Sequence, residues 1–190
     1  MKTLNLPKRY ICGIDELTAR SGHGITHVLS LVDPELPEME HFEAYGSMRR
    51  LVLKMHDIIE EKPGMVLPEP SHMKSILEFG HLVETESNSF GSLLVHCHMG
   101  VSRSTAAMLA IMAQAHPEEA EDHVFETLRR IRPQAWPNSL MIQYADDQLD
   151  RGGKLTAALR RHYGFQVRAN PETGTWIGTL GRQREVDMAE

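Results

Sequence analysis

The chain has 190 residues, 41% of them hydrophobic and 24% charged, which is the composition of an ordinary soluble globular protein with its own core. Its net charge of −6 argues against nucleic acid as a main partner, because affinity for nucleic acid rests largely on basic side chains. Residues 1–9 lack the apolar core of a signal peptide, and no apolar run approaches the roughly 18–20 residues that span a bilayer, so we expect a cytoplasmic protein without a membrane partner.

Predicted strands and helices alternate along the chain. Apolar and β-branched runs predict strands at 9–14, 25–32, 49–55 and 92–96. Apolar residues at helical spacing predict helices at 71–86, 105–115, 117–131, from 138 or 139 towards 152, and at 154–163. The alternation predicts a single α/β domain over residues 1–168, and the polar composition of residues 169–190 predicts a loosely attached tail.

The chain has only two cysteines, Cys12 and Cys97, which is too few for a disulfide framework or a metal-binding array. The eleven histidines are scattered and include no His-x-x-x-His pair within a predicted helix, so we infer neither a metal nor another cofactor. Cys12 lies in a predicted strand, where a small apolar core residue is the simplest interpretation. The alternative is a resolving thiol that captures an oxidised active-site cysteine.

The most informative stretch is residues 96–104, His-Cys-His-Met-Gly-Val-Ser-Arg-Ser. A buried strand brings Cys97 to the carboxyl edge of the sheet, and a short loop then leads into a buried helix. Such a loop directs successive backbone N–H groups at one point and suits an anion such as phosphate. Gly100 permits a sharp bend, and the planar fork of Arg103 matches two phosphate oxygens. The predicted phosphate-binding residues are His98, Met99, Gly100, Val101, Ser102 and Arg103.

The same environment favours a reactive thiolate at Cys97, because a helix N-terminus and a nearby cation stabilise the ionised form of a cysteine. A thiolate there can attack phosphorus and form a phosphocysteine intermediate. Ser104 can donate a hydrogen bond to the sulfur when water later expels it. His96 is expected to orient the loop through hydrogen bonds. The plainer interpretation is a structural cysteine at a strand end. It does not explain why His96, Gly100, Arg103 and Ser104 accompany this cysteine.

This stretch resembles the His-Cys-x5-Arg-Ser/Thr loop of the protein tyrosine phosphatase superfamily, and most resembles its small dual-specificity branch. Segments 25–30 and 93–95 resemble two strands of that branch, and 132–138 resembles the segment after its loop helix. The resemblance covers about residues 9–152. It implies a small, largely parallel central sheet of four to five strands flanked by helices, with Cys97 as nucleophile, Arg103 as phosphate ligand and Ser104 as the hydroxyl for the leaving thiolate. Asn138 is expected to help orient the loop.

The resemblance also implies a general acid, an aspartate on the loop after the strand that precedes the long helix. Asp57 fits this place, although it stands forty residues before Cys97, a longer separation than is usual in this branch. The proline-rich loop 61–70 can absorb the extra length. Asp33, Glu60 and Glu61 are rivals, and a solvated surface carboxylate is the plain interpretation of all four.

Together these residues predict a metal-free phosphomonoester hydrolase that acts on phosphotyrosine-type or dual-specificity substrates. The expected partner is a phosphorylated protein or a small phosphomonoester, and phosphate, sulfate and vanadate are the expected site ligands. No lysine lies within residues 98–102, which disfavours a highly charged inositol-lipid head group. Two alternatives stay open, a phosphatase of a non-protein ester such as a nucleotide and a catalytically weak phosphate-binding module.

Overall fold

The computed structural model describes residues 8–86 and 92–190. Within them, four strands form one sheet in the order β1-β4-β2-β3, and every neighbouring pair is parallel. The strands are β1 (Lys8–Cys12), β2 (Ile25–Val32), β3 (Arg49–Lys54) and β4 (Ser92–His96). The predicted α/β fold with a small parallel sheet flanked by helices is confirmed.

Strand β4 lies inside the sheet and determines where the site forms. It is buried along its whole length, as expected for a parallel strand covered on both faces. His96 pairs in register with Cys12 of β1 on one side and with Ser30 of β2 on the other. The next residue, Cys97, therefore emerges at the carboxyl edge of the sheet between two neighbouring strands.

Side chains alternate between two layers along the strands. Leu93, Val95 and Cys97 face the larger core, whereas Leu94 and Cys12 face the smaller one. The smaller layer is covered by α1 (Leu17–Arg20) and by 3-10 turns at Ile14–Glu16, Ser21–His23 and Glu40–Tyr45. The larger layer contains α2 (Pro70–Glu86), α3 (Arg103–Ala115), α4 (Glu121–Ile131), α5 (Ser139–Gln148), α6 (Lys154–Ala169), α7 (Pro171–Thr179) and α8 (Gln183–Asp187). None of the helices described is both long enough and apolar enough to cross a membrane.

Several helix boundaries differ from the prediction, and α3 begins at Arg103 and α5 ends at Gln148. The helix expected from residue 117 begins at Glu121, because Arg151 binds the carbonyl oxygens of Ala113 and Pro117 and the chain turns there. The helix expected to end near residue 163 continues to Ala169.

The prediction of a loosely attached tail over residues 169–190 is wrong. Asn170 caps α7 by accepting a hydrogen bond from the backbone N–H of Glu172 at 3.2 Å. Ile177 of α7 belongs to the larger core, and Arg182 and Glu185 are almost completely buried. The polar composition that suggested a tail therefore includes polar side chains that are partnered inside the protein.

Candidate active site

Cys97 lies between the end of β4 and the start of α3, as the sequence predicts. Its side chain is 2% exposed. The sulfur lies 3.1 Å from the hydroxyl oxygen of Ser104, in the first turn of α3. The predicted nucleophile and the hydroxyl predicted to stabilise its thiolate are thus within hydrogen-bonding distance.

The loop after Cys97 turns its carbonyl groups outwards. The carbonyl oxygen of His98 accepts from the amide of Ile14 at 2.9 Å, and that of Val101 accepts from the amide of Trp136 at 2.8 Å. Arg132 donates to the carbonyl oxygens of both Met99 and Gly100 at 3.0 Å. In a trans peptide the following N–H points opposite to the carbonyl, so the amides of residues 99–102 point to the inner side of the loop. Converging amides of this kind bind anions.

Gly100 is required by this loop for two reasons. Its φ of +69° lies in the left-handed region that side-chain-bearing residues rarely adopt. A Cβ atom at this position would also stand 2.4 Å from the carbonyl carbon of Cys12. The loop therefore packs directly on the end of β1, and any larger residue would displace it.

Arg103 begins α3 and is 2% exposed. Its Nη1 atom donates to the Asp33 carboxylate at 2.6 Å and also to the carbonyl oxygen of Met55. Its Nε has no partner in the described part of the chain. Asp33, one of the rival candidates for the general acid, instead anchors the guanidinium at the end of β2.

Asp57 lies three residues after β3, and three groups donate to its Oδ1 atom. They are the Ser102 hydroxyl at 2.7 Å, the Asn138 side-chain amide at 3.0 Å and the Arg182 guanidinium at 3.2 Å. Burial favours the neutral acid, but Arg182, Arg103 and the hydrogen bonds hold the pKa of Asp57 below its ordinary value. At rest the group is therefore a carboxylate.

The two predicted loop-orienting residues make different contacts. His96 is hydrogen-bonded through Nε2 to the Ser30 hydroxyl at 2.7 Å, and burial lowers its pKa to about 4, so it is neutral at pH 7. It joins β4 to β2 below the loop. Asn138 caps α5 by accepting from the amide of Met141 at 3.1 Å, while its own amide holds Asp57.

A cavity of about 160 Å³ contains Cys97, Asp57 and the loop residues. Its lining includes five apolar side chains, two from the loop and three from the C-terminal segment, namely Met99, Val101, Trp176, Ile177 and Leu180. Arg182 lies in the same lining. Glu60 and Glu61, the remaining rivals for the general acid, are exposed and do not line this cavity.

A family model for the protein-tyrosine phosphatases matches residues 65–145, which include the loop and Asn138 but neither Asp33 nor Asp57. The predicted resemblance to the protein tyrosine phosphatase superfamily is confirmed. A search of curated proteins finds no match.

Solved phosphatase structures share the fold at low sequence identity. The Yvh1 phosphatase domain from Chaetomium thermophilum is 23% identical with a TM-score of 0.55, and the match covers 81% of this chain and 97% of that one. DUSP15 is 24% identical with a TM-score of 0.55, covering 83% and 93%. PTPMT1 in complex with PI(5)P is 14% identical with a TM-score of 0.56, covering 80% and 94%. The protein tyrosine phosphatase fold, of the dual-specificity type, thus accounts for most of the chain.

The loop after Cys97 shares its cavity with residues that were not predicted as part of the site. Trp176, Ile177, Leu180 and Arg182 all come from the region expected to be a tail. A signal was present, since Asn170-Pro171-Glu172 combines a capping residue, a proline at the first helical position and an acid in the first turn.

Cys12 and Cys97 lie on opposite faces of the sheet. Cys12 belongs to the smaller core layer, whereas Cys97 belongs to the larger one across the sheet. Burial raises the pKa of the Cys12 thiol to about 12, which keeps it protonated and unreactive. The structure therefore favours the interpretation of Cys12 as a small core residue over that of a resolving thiol.

Proposed function

We propose that this chain is a cysteine-dependent phosphomonoester hydrolase that acts on phosphotyrosine-type substrates through a phosphocysteine intermediate. The observation that carries the proposal is the convergence of the Cys97 sulfur, the inward amides of the loop and Arg103. Such a cluster stabilises the charge on a transferring phosphoryl group and places its phosphorus next to the nucleophile.

In the first step the Cys97 thiolate attacks phosphorus and the bond to the ester oxygen breaks. The electron pair of that bond goes to the leaving oxygen, which takes a proton from the Asp57 carboxyl group. The resting Asp57 is ionised, but an arriving phosphate adds negative charge beside it. That charge raises the pKa of the carboxyl group and favours its protonation in the substrate complex.

In the second step water attacks the phosphocysteine and gives its proton to the Asp57 carboxylate. The sulfur–phosphorus bond breaks, and its electron pair returns to Cys97 as thiolate. Ser104, with its hydroxyl 3.1 Å from the sulfur, is positioned to donate a hydrogen bond to this leaving group. The products are inorganic phosphate and the free enzyme.

The apolar side chains that line the cavity support an aromatic ester over a polyol or lipid head group. Met99 and Leu180 are among the exposed large hydrophobic side chains of the protein, and both lie at this cavity with Trp176. Burying an aromatic ring against them removes apolar surface from water, at about 25 cal/mol per Å². A hydroxyl-rich head group would lose hydrogen bonds to water there without replacement.

A substrate panel tests this proposal. We expect the highest kcat/KM for phenyl phosphate and a phosphotyrosine peptide, and lower values for glycerol phosphate, a nucleoside monophosphate and PI(5)P. A preference for the nucleotide or the lipid would contradict the aromatic assignment. No turnover of any ester, combined with measurable phosphate binding, would leave the phosphate-binding module as the function.

The role of Asp57 gives a second prediction. Asp57→Asn should slow hydrolysis of phenyl phosphate by about 10²–10⁴-fold, because the phenolate oxygen needs a proton. The same variant should slow an activated nitrophenyl or coumarin ester much less, since those groups leave as stable anions. Glu60→Gln is the control, because this carboxylate is exposed and outside the cavity. Equal slowing of both esters by Asp57→Asn would show that Asp57 has a structural role and is not the general acid.

A further inference from the structure

Arg182 is a buried charge that the two-step chemistry does not use. It lies between α7 and α8 and is 2% exposed. Burial disfavours its charge, but Asp57 and Glu185 raise the pKa of Arg182 above its usual range, so it stays a cation. A buried ion pair adds little net stability compared with apolar side chains of similar size, so stability alone does not explain why Arg182 lines the cavity that also contains Cys97.

The guanidinium of Arg182 connects the acid candidate to the phosphate loop. Its Nη1 donates to the Ser102 hydroxyl at 2.7 Å and to Asp57 at 3.2 Å. Ser102 in turn donates to the same carboxylate oxygen of Asp57. These three groups form a closed triangle of hydrogen bonds that joins the loop to Asp57.

A second connection runs from Arg182 through Glu185 of α8. The two side chains approach to 2.6 Å, and Glu185 is completely buried. Glu185 also accepts from the Trp136 indole at 2.8 Å and from the Ser139 amide at 2.7 Å. These residues flank Asn138, which donates to Asp57. The C-terminal helices therefore hold Asp57 directly and also through Asn138.

All of these donors converge on one oxygen of the carboxylate. Ser102, Asn138 and Arg182 bind Oδ1 of Asp57, whereas Oδ2 accepts no hydrogen bond from residues 8–86 or 92–190. The carboxylate is thus fixed by one oxygen, while the other is available to carry a proton to the leaving group.

We propose that Arg182 is a positioning residue that orients Asp57 for proton transfer, and that the C-terminal segment, residues 171–187, is an integral part of the active site. This inference rests on the proposed function, because it assigns a partner to its general acid. It names a residue outside the matched phosphatase region of residues 65–145.

The test uses three variants of the full chain. Arg182→Met alone would leave Glu185 as a buried unpaired charge, so the main variant is Arg182→Met with Glu185→Gln, which removes both charges. Arg182→Lys keeps the charge without the fork and is the second, milder variant. Arg184→Gln is the matched control, because this arginine is exposed on α8 and does not line the catalytic cavity.

We expect the double variant to slow phenyl phosphate by at least roughly tenfold more than an activated ester, as the loss of a positioned acid should. In an Asp57→Asn background the double variant should cost little further rate, because residues acting as one unit are non-additive. Arg182→Lys should show the same ester dependence in weaker form, and Arg184→Gln should change neither rate. Equal slowing of both esters, or rate losses that multiply with Asp57→Asn, would overturn the proposal.

A readout without turnover separates this inference from the proposed function. In a Cys97→Ser background, the carbon resonance of the Asp57 carboxyl group can be titrated by NMR. The charged groups acting on Asp57 are Arg182 from the C-terminal segment and Arg103 from α3, so loss of Arg182 should raise the Asp57 pKa. An unchanged pKa would overturn the positioning role even in an active enzyme. If the Asp57 pKa rises in this background but the chain with Cys97 intact hydrolyses no ester, the coupling between Arg182 and Asp57 is supported and the proposed function is rejected.

Discussion

Cys97→Ser is expected to abolish turnover of 4-nitrophenyl phosphate while the protein still binds inorganic phosphate. A hydroxyl is a far weaker nucleophile than a thiolate but nearly the same size. The loop amides are held by Ile14, Arg132 and Trp136 rather than by the sulfur, so the anion site should survive. Initial rates, calorimetric phosphate binding and thermal unfolding measure the three quantities separately.

Cys12→Ala is the matched control for that variant. Both cysteines are buried, but Cys12 lies in the other core layer. Its truncation should lower the free energy of unfolding through a small cavity and leave kcat nearly unchanged. Substantial residual turnover in Cys97→Ser, above that of a blank preparation, would exclude the covalent mechanism.

Arg103→Lys is expected to reduce kcat by about 10²–10³-fold, the usual cost of removing one donor to a developing negative charge. Lysine keeps the charge but loses the planar fork that binds two phosphate oxygens. It also cannot reproduce the two-sided anchoring of the guanidinium by Asp33 and the Met55 carbonyl. Rates with phenyl phosphate and inhibition by vanadate check the result.

Arg130→Lys controls for a general effect of the substitution, because Arg130 is half-exposed and forms a surface ion pair with Glu126. It should leave kcat and vanadate inhibition as they are. An Arg103→Lys enzyme with full activity would remove Arg103 from the phosphate site.

The sheet and the loop were predictable because their information is local. Strands β2 and β4 have the predicted bounds, since a parallel strand covered on both faces gives a continuous apolar run. The loop is recognisable because cysteine, glycine, arginine and serine each have a separate task within eight residues. The resemblance implied an aspartate after the strand that precedes the long helix, which made Asp57 the candidate, and the structure brings it to the same cavity as Cys97.

The C-terminal part of the site was not predictable in the same way. Arg182 meets Asp57 across 125 residues of sequence, and no local periodicity encodes such a contact. Glycines at 174, 178 and 181 weaken the helical pattern there. A sequence alone also does not distinguish a polar side chain that is buried from one that is exposed to solvent. The pairing of Asp33 with Arg103, 70 residues apart, was hidden for the same reason.

Asp57 and Arg182 are in contact but lie 125 residues apart in the sequence, and this has a consequence during synthesis. At about 5–20 residues per second, the ribosome adds Arg182 roughly 6 to 25 seconds after Asp57, so the nascent chain holds the nucleophile and its loop before the cation that orients the acid. A growing chain can therefore collapse around its sheet while its proton donor is still unrestrained. Competence for proton transfer should therefore appear only after α7 and α8 have docked.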